Sequence, residues 1–404
     1  MIQQEFQFQK LNEFQQSDLK SHKILKLDFK LKKINSTDAG TLANHLQDCQ
    51  NLQFLELNLM SNDIGAQGAL ELGKALGSLL ELNTLIINLY NNKLAQQGAQ
   101  LFFQGLSNSH SLQTLQFSVQ WNKINDQGLS DLGSALQNIK PLKVLKVDLQ
   151  NNLFGQKGIQ MFSACLSEMN QLQNFKLNLE KVFIVDVNCV GKGLQVCQNL
   201  LKITLKLQQN NINNNGIETL GLSIGNLKQI LTVKIYLENN FISEQGLSNF
   251  TQGLGNSKTL KRIKLDLSSN KIEPSQEASN VCYYFQNINS LNILQLNLSQ
   301  NNQCSYDTIQ LCNSIKNCIN LQRLELQLFS SQIKPQILQE ISNSLGNLVH
   351  LQYLNINFSF NKIYGGGASS ICQGITNLKK LNTCIAKFDF CEINDEGMFQ
   401  ILDE

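Results

Sequence analysis

Gly221-Leu222-Ser223-Ile224-Gly225 has the spacing of a nucleophile elbow, in which a serine hydroxyl is exposed on a sharp turn between strand and helix. Here the pentapeptide lies inside a stretch of helical periodicity. Ser223 also recurs in register with Ala75, Gly105, Ala135, Cys165 and Gly253, a position held by small side chains. Close packing explains that series, and no nucleophile is expected. Gly365-Gly366-Gly367 could cradle a phosphate, but no Lys-Ser/Thr follows it, and Gly367 belongs to a regularly spaced glycine series. His22, His45, His110 and His350 are scattered without triad or ligand spacing, and Cys304, Cys312 and Cys318 lack paired C-x-x-C spacing. The expectation is a non-enzyme without metal, cofactor or small-molecule substrate.

Charge is the chemistry that remains. At a period of about 30 residues one position reads Lys26, Glu56, Ile86, Gln116, Lys146, Lys176, Thr204, Lys234, Lys264, Gln295, Glu325, Asn355 and Ile385. Lys206 stands two residues beyond Thr204, and Lys143, Lys202, Lys261 and Arg262 stand just upstream of the lane. Residues 140–272 hold 16 Lys/Arg against 8 Asp/Glu, a net charge of +8; the whole chain is +2, so the remainder is −6. A basic centre between acidic ends can steer an acidic partner. Lys146, Lys176, Lys206, Lys234 and Lys264 are therefore candidate contacts. Asp148, Glu180, Glu238 and Asp266 share the surface and could instead pair with the lysines across strands, leaving a solvated face. Tyr90, Trp121, Tyr236, Phe329 and Phe360 fall at outward or bend positions, where aromatic side chains serve as interface anchors.

The elements that must carry these residues follow from the same period. An asparagine closes each apolar run, at Asn62, Asn92, Asn122, Asn152, Asn210, Asn240, Asn270, Asn301 and Asn361, with Lys32, Val182, Ser331 and Cys391 in the degenerate copies. Ahead of it, Leu55, Leu57 and Leu59 alternate with polar residues, the period of a half-buried strand. Behind it comes a glycine (Gly68, Gly98, Gly128, Gly158, Gly216, Gly246, Gly367, Gly397) and then apolar residues at helical spacing, as in Ala69, Leu72, Leu76 and Leu79. Each copy predicts strand, turn, helix. Neither apolar face can be buried within one copy, so the copies must stack as a solenoid. The bend asparagines, able to donate and accept together, are expected to satisfy backbone groups at the turn. In the sixth copy Lys181-Val182-Phe183-Ile184-Val185 replaces the bend with an apolar run. That break is either a local change of curvature or a docking site at Phe183 and Val185.

The pattern Leu-x-x-Leu-x-Leu before Asn-x-Ile/Leu, followed by glycine and a Leu-rich helix, resembles the leucine-rich repeat family, in the long ribonuclease-inhibitor-like form. The resemblance covers nearly all of residues 22–404, with residues 1–21 (Phe6, Phe8, Leu11, Phe14) as an N-terminal cap. It implies an α/β right-handed horseshoe of about 13 repeats of about 30 residues, with a parallel sheet on the concave face and helices on the convex face. One departure is an extra polar–apolar pair such as Asn58-Leu59, which lengthens the strand without flipping its faces. The function implied is a protein-interaction scaffold or adaptor gripping a partner on the concave sheet, as a subunit of a larger assembly. The alternative is a regulator of an enzyme, of the GTPase-activator or inhibitor type. A net charge of +2 and few interleaved aromatics argue against nucleic acid. No basic leader precedes an apolar stretch, no run of 18 apolar residues occurs, and Cys49, Cys197 and Cys318 fall at one apolar register. The expectation is a cytoplasmic, reducing compartment.

Overall fold

A computed structural model describes residues 5–272, 283–301, 311, 313–333 and 335–393. Contacts divide the chain into two compact units, Met1–Ile184 with Lys192–Leu200, and Val185–Gly191 with Leu201–Glu404. The division falls in the irregular sixth copy.

In the first unit seven parallel strands follow one another in chain order: β1 (Glu5–Phe8), β2 (Ile24–Asp28), β3 (Phe54–Asn58), β4 (Thr84–Asn88), β5 (Thr114–Ser118), β6 (Val144–Asp148) and β7 (Asn174–Asn178). Their register aligns Leu25, Leu55, Leu85, Leu115, Leu145 and Phe175, all fully buried. The second unit repeats the order with β8 (Lys202–Lys206), β9 (Thr232–Tyr236), β10 (Arg262–Asp266), β11 (Ile293–Asn297), β12 (Arg323–Gln327), β13 (Tyr353–Asn357) and β14 (Thr383–Lys387). Among the described residues thirteen repeat strands, β2 to β14, match the thirteen copies read from the sequence. The ladder runs past the five-residue strands: Phe29 N–H donates to Asn58 O at 2.8 Å, and Leu31 N–H to Met60 O at 2.9 Å. The extra residue pair of each copy thus lies within the hydrogen-bonded sheet.

Between strands the chain returns through helices, α2 (Ser36–Gln47), α3 (Gly65–Gly77), α4 (Ala95–Leu106), α5 (Asp126–Leu136) and α6 (Gln156–Leu166) in the first unit, after a short α1 (Leu11–Gln15). A seven-residue α7 (Asn188–Leu194) occupies the sixth copy; α8 (Asn214–Gly225), α9 (Glu244–Leu254), α10 (Pro335–Gly346) and α11 (Tyr364–Thr376) follow. Strand and helix residues of one copy share one core: Leu55, Leu57, Leu59, Ile64, Ala69, Leu72 and Leu76 are all no more than 1% exposed. Burying each leucine contributes about 1.5–3 kcal/mol, so stacking is the main source of stability. Helix starts depend on the residue three past the bend. Asn35, Asn125 and Asn213 are extended N-caps whose side chains accept from the first turn, and Asn35 with Asp38 forms a capping box. Where that residue is Gly65, Ala95 or Tyr364, it takes a left-handed φ instead.

The bend asparagines tie one copy to the next. Asn122 Oδ1 accepts from the N–H groups of Asn92 (2.9 Å) and Leu94 (3.2 Å), and its Nδ2 donates to Leu89 O (2.7 Å) and Val119 O (3.0 Å). Asn62, Asn152, Asn240, Asn270, Asn301 and Asn361 bridge neighbouring copies in the same manner. In degenerate copies a lone donor survives: Ser331 Oγ reaches Leu298 O, and Cys391 Sγ reaches Phe358 O. The residue preceding each bend asparagine, from Ser61 to Phe360, adopts a positive φ that reverses the chain; Asn210, Asn240, Asn270 and Asn301 follow the same rule. The repeat glycines face the preceding helix: a Cβ on Gly68 would lie 2.8 Å from Ala39 Cβ, and one on Gly158 would lie 2.7 Å from Asp126 Oδ1. Gly397 lies outside the described residues.

Before the first repeat strand, β1 adds to the edge of β2, and Phe14 is fully buried. Phe6, Phe8 and Phe14 surround the ring of His22, which is 1% exposed; its Nε2 meets Ser17 Oγ at 2.8 Å.

Candidate functional site

Alternation on each strand points every second side chain to the open face of the sheet, so aligned strands build rows. In the second unit the first row runs Lys202, Thr232, Arg262, Ile293, Arg323, Tyr353 across β8 to β13. The second runs Thr204, Lys234, Lys264, Gln295, Glu325, Asn355, and the third Lys206, Tyr236, Asp266, Asn297, Gln327, Asn357. Strands about 4.8 Å apart therefore gather Lys202, Lys234, Arg262 and Lys264 within three neighbouring strands, around the buried Thr204 and Thr232. A shallow depression of about 200 Å³ opens there, lined by Thr232, Lys234, Arg262, Lys264, Gln295 and Arg323 among others.

No carboxylate among the described residues lies within ion-pair distance of Lys202, Lys234, Arg262 or Lys264. The Lys234 ammonium is half-buried and held below its ordinary pKa by that burial, and then by Lys202, Lys264 and Arg262. Lys264 Nζ lies 5.4 Å from the Tyr236 ring centre, so that aromatic is already engaged. Asp266, positioned by the sequence to neutralise the lysines, accepts instead from Ser268 N–H, Ser268 Oγ–H and Asn297 Nδ2. Further along, Arg323 is neutralised: its Nε donates to Glu325 Oε1 at 2.8 Å, and its guanidinium stacks 3.8 Å over the Tyr353 ring. The cationic patch thus ends sharply at β10.

The other expected contacts are distributed differently. Lys146 and Lys176 are neighbours on β6 and β7 in the first unit, with Lys146 Nζ donating to Gln116 Oε1 at 3.3 Å. Lys206 sits in the third row beside Tyr236, outside the row of Lys234 and Lys264. Lys26 is paired with Glu5 of β1 at 2.8 Å, a partner the repeat pattern does not reveal. Trp121 is 55% exposed at the tip of a bend, with φ 57°, whereas Tyr90 is half-buried. Phe360 lies between Phe329 and Phe390, at 5.0 and 4.5 Å between ring centres. Phe183 is 76% exposed in the first unit, and Val185 is 44% exposed in the second. Sequence reasoning placed Lys202 and Arg262 at the strand entrances without joining them to the lysine lane; aligning the first row as well as the second would have found them. Thr204 stood in that lane only as an interruption of the lysines, and Thr232 was not singled out.

Ser223 is buried within α8, beside Gly191, where a hydroxyl cannot present itself to a substrate. Gly365 and Gly367 are buried in the first turn of α11. Cys304 and Cys312 lie outside the described residues, while Cys318 is buried. No helix among the described residues is long and apolar enough to cross a membrane.

The sequence profile of the leucine-rich repeat family matches residues 50–73 and 108–133. Among solved structures, a leucine-rich-repeat protein of Leptospira interrogans is similar over 99% of this chain and 98% of that one, at 18% identity and a TM-score of 0.48. No curated protein matches the chain. Strand, bend and helix recur from copy to copy in both units, and the chain is built of leucine-rich repeats.

Proposed function

We propose that this protein is a non-enzymatic interaction scaffold that grips an acidic protein partner on the open face of its sheet, as an adaptor or subunit of an assembly. The carrying observation is the group of four cations, Lys202, Lys234, Arg262 and Lys264, on three adjacent strands with no ion-pair partner among the described residues. Like charges held together destabilise the free state, and an opposing charge on a partner relieves them. The support is rigid, since β9 and β10 are each paired on both sides and Asn240 and Asn270 bridge their bends. A protein partner suits this face better than nucleic acid, because Asp266 and Glu325 interrupt the positive potential within one or two strands. Cys49, Cys197 and Cys318 support an intracellular, reducing setting: burial pushes their thiols up to about 12, 11 and 12, so they serve as small apolar core residues.

The test is capture from native extract with wild-type protein, a Lys234→Glu/Lys264→Glu variant and a Lys146→Glu/Lys176→Glu variant. A partner lost only with the first variant supports the reading. Partners retained by both variants would overturn it. The alternative, regulation of a GTPase or other enzyme, is separated by whether the captured partner's turnover changes on binding.

A further inference from the structure

Resting on the reading just given, we propose that the patch formed by Lys202, Lys234, Arg262 and Lys264 is a receptor for a phosphorylated serine or threonine on the partner. Three features of the face favour a compact dianion over an ordinary acidic segment. The first is density. Four cations stand on three strands about 4.8 Å apart, and three of them, Lys234, Arg262 and Lys264, line one shallow depression. A phosphoryl group brings a charge near −2 and three acceptor oxygens to a single point, whereas carboxylates deliver one charge per side chain.

The second is the boundary of the patch. Asp266 lies in the third row directly beyond Lys264, and Glu325 lies two strands beyond it in the second row. An extended polyanion, whether a run of Glu residues or a nucleic acid, would carry its charge from the lysines onto these carboxylates. A single phosphoryl group would not. The amides of Gln295 on β11 and Gln327 on β12, in contrast, offer hydrogen bonds to the uncharged backbone on that side of it. The third is chemical variety. Arg262 supplies a planar fork suited to bidentate phosphate contacts, and the lysines supply point charges. The Lys234 pKa is lowered first by burial and then by Lys202, Lys264 and Arg262, and a dianion would oppose the second of these causes.

The experiment is calorimetric titration of the full chain, at constant ionic strength, with acetyl-Gly-phosphoserine-Gly-amide, acetyl-Gly-Glu-Gly-amide, inorganic phosphate, and vesicles carrying 5% phosphatidylinositol phosphate in phosphatidylcholine. The phosphoserine peptide should bind at least about tenfold more tightly than the glutamate peptide. Arg262→Gln and Lys234→Gln should each weaken it several-fold, Lys234→Arg should restore much of the loss, and Lys146→Gln should leave it unchanged. Inorganic phosphate should compete for the same site. Equal affinity for the phosphoserine and glutamate peptides would overturn the phosphate assignment while leaving an acidic-partner surface intact. No binding of the phosphoserine peptide would also overturn it, and tighter binding of the vesicles would reassign the patch to a membrane headgroup. Loss of partner capture on charge reversal, as described above, reports separately on the scaffold reading.

Discussion

A bend asparagine does at one residue what a turn elsewhere needs several groups to do. Asn122 closes two backbone N–H groups of the preceding copy and two carbonyls, one on each side of the interface. Asn122→Leu keeps the approximate volume and removes both functions, leaving four buried backbone groups without that partner. The expected loss is about 2–5 kcal/mol, read by urea denaturation. An unchanged midpoint would show that the ladder does not depend on this side chain. The asparagines were fully legible in the sequence because their duty recurs every copy. The residue before each bend was not. A left-handed φ costs most residues about 1–2 kcal/mol, yet it is occupied by Trp121 and Phe360 as well as by Asn and Ser, so composition gives no sign of it.

At the scale of the element, helix spacing decides which substitutions survive. A Cβ on Gly253 of α9 would stand 2.2 Å from Leu222 N on the preceding helix, whereas one on Gly366 of α11 meets nothing within 4 Å. Gly253→Ala should therefore destabilise by about 1–3 kcal/mol, while Gly366→Ala should stabilise by about 0.5–1 kcal/mol through helix propensity. Thermal melts of the two variants against wild type give the comparison. The N-terminal β1–α1 segment makes a pH-dependent contribution through His22. Burial holds this ring below its ordinary value of 6.5, with Asp18 acting in the opposite sense. The unfolded ring thus takes up a proton that the folded ring resists. Its contribution to stability is complete above about pH 6.5 and is lost as pH falls below that value toward the folded pKa. Amide exchange in residues 5–21, corrected for its intrinsic pH dependence, should accelerate between pH 7 and pH 5 in wild type but not in His22→Phe. The helices and strands were readable from periodicity, yet the pairing of β1 with β2 was not, because residues 1–21 carry no repeat. That omission hid the Lys26–Glu5 ion pair.

Over the molecule, the charge pattern was legible as a count but not as an arrangement. Sixteen cations against eight anions in residues 140–272 announce a basic region. Which of them remain available depends on hydrogen bonds that no count contains. Asp266 turns to Ser268 and Asn297 and leaves the lysines beside it cationic on β8, β9 and β10, while beyond the region Arg323 is taken by Glu325. Lys146 and Lys176 belong to the other unit and Lys206 to another row, which divides a lane that the sequence presented as one. Periodicity fixes which face a side chain occupies, while its partners are set by its own rotamer and its neighbours' chemistry. The most direct test of the central claim is the dissociation constant of the captured partner for wild type and for Lys234→Glu/Lys264→Glu, each at 0.05 and 0.2 M salt. The account expects wild-type binding to weaken strongly with salt, and the variant to bind at least about a hundredfold more weakly, with a much flatter salt dependence. Equal constants for the two proteins at both salt concentrations would contradict it.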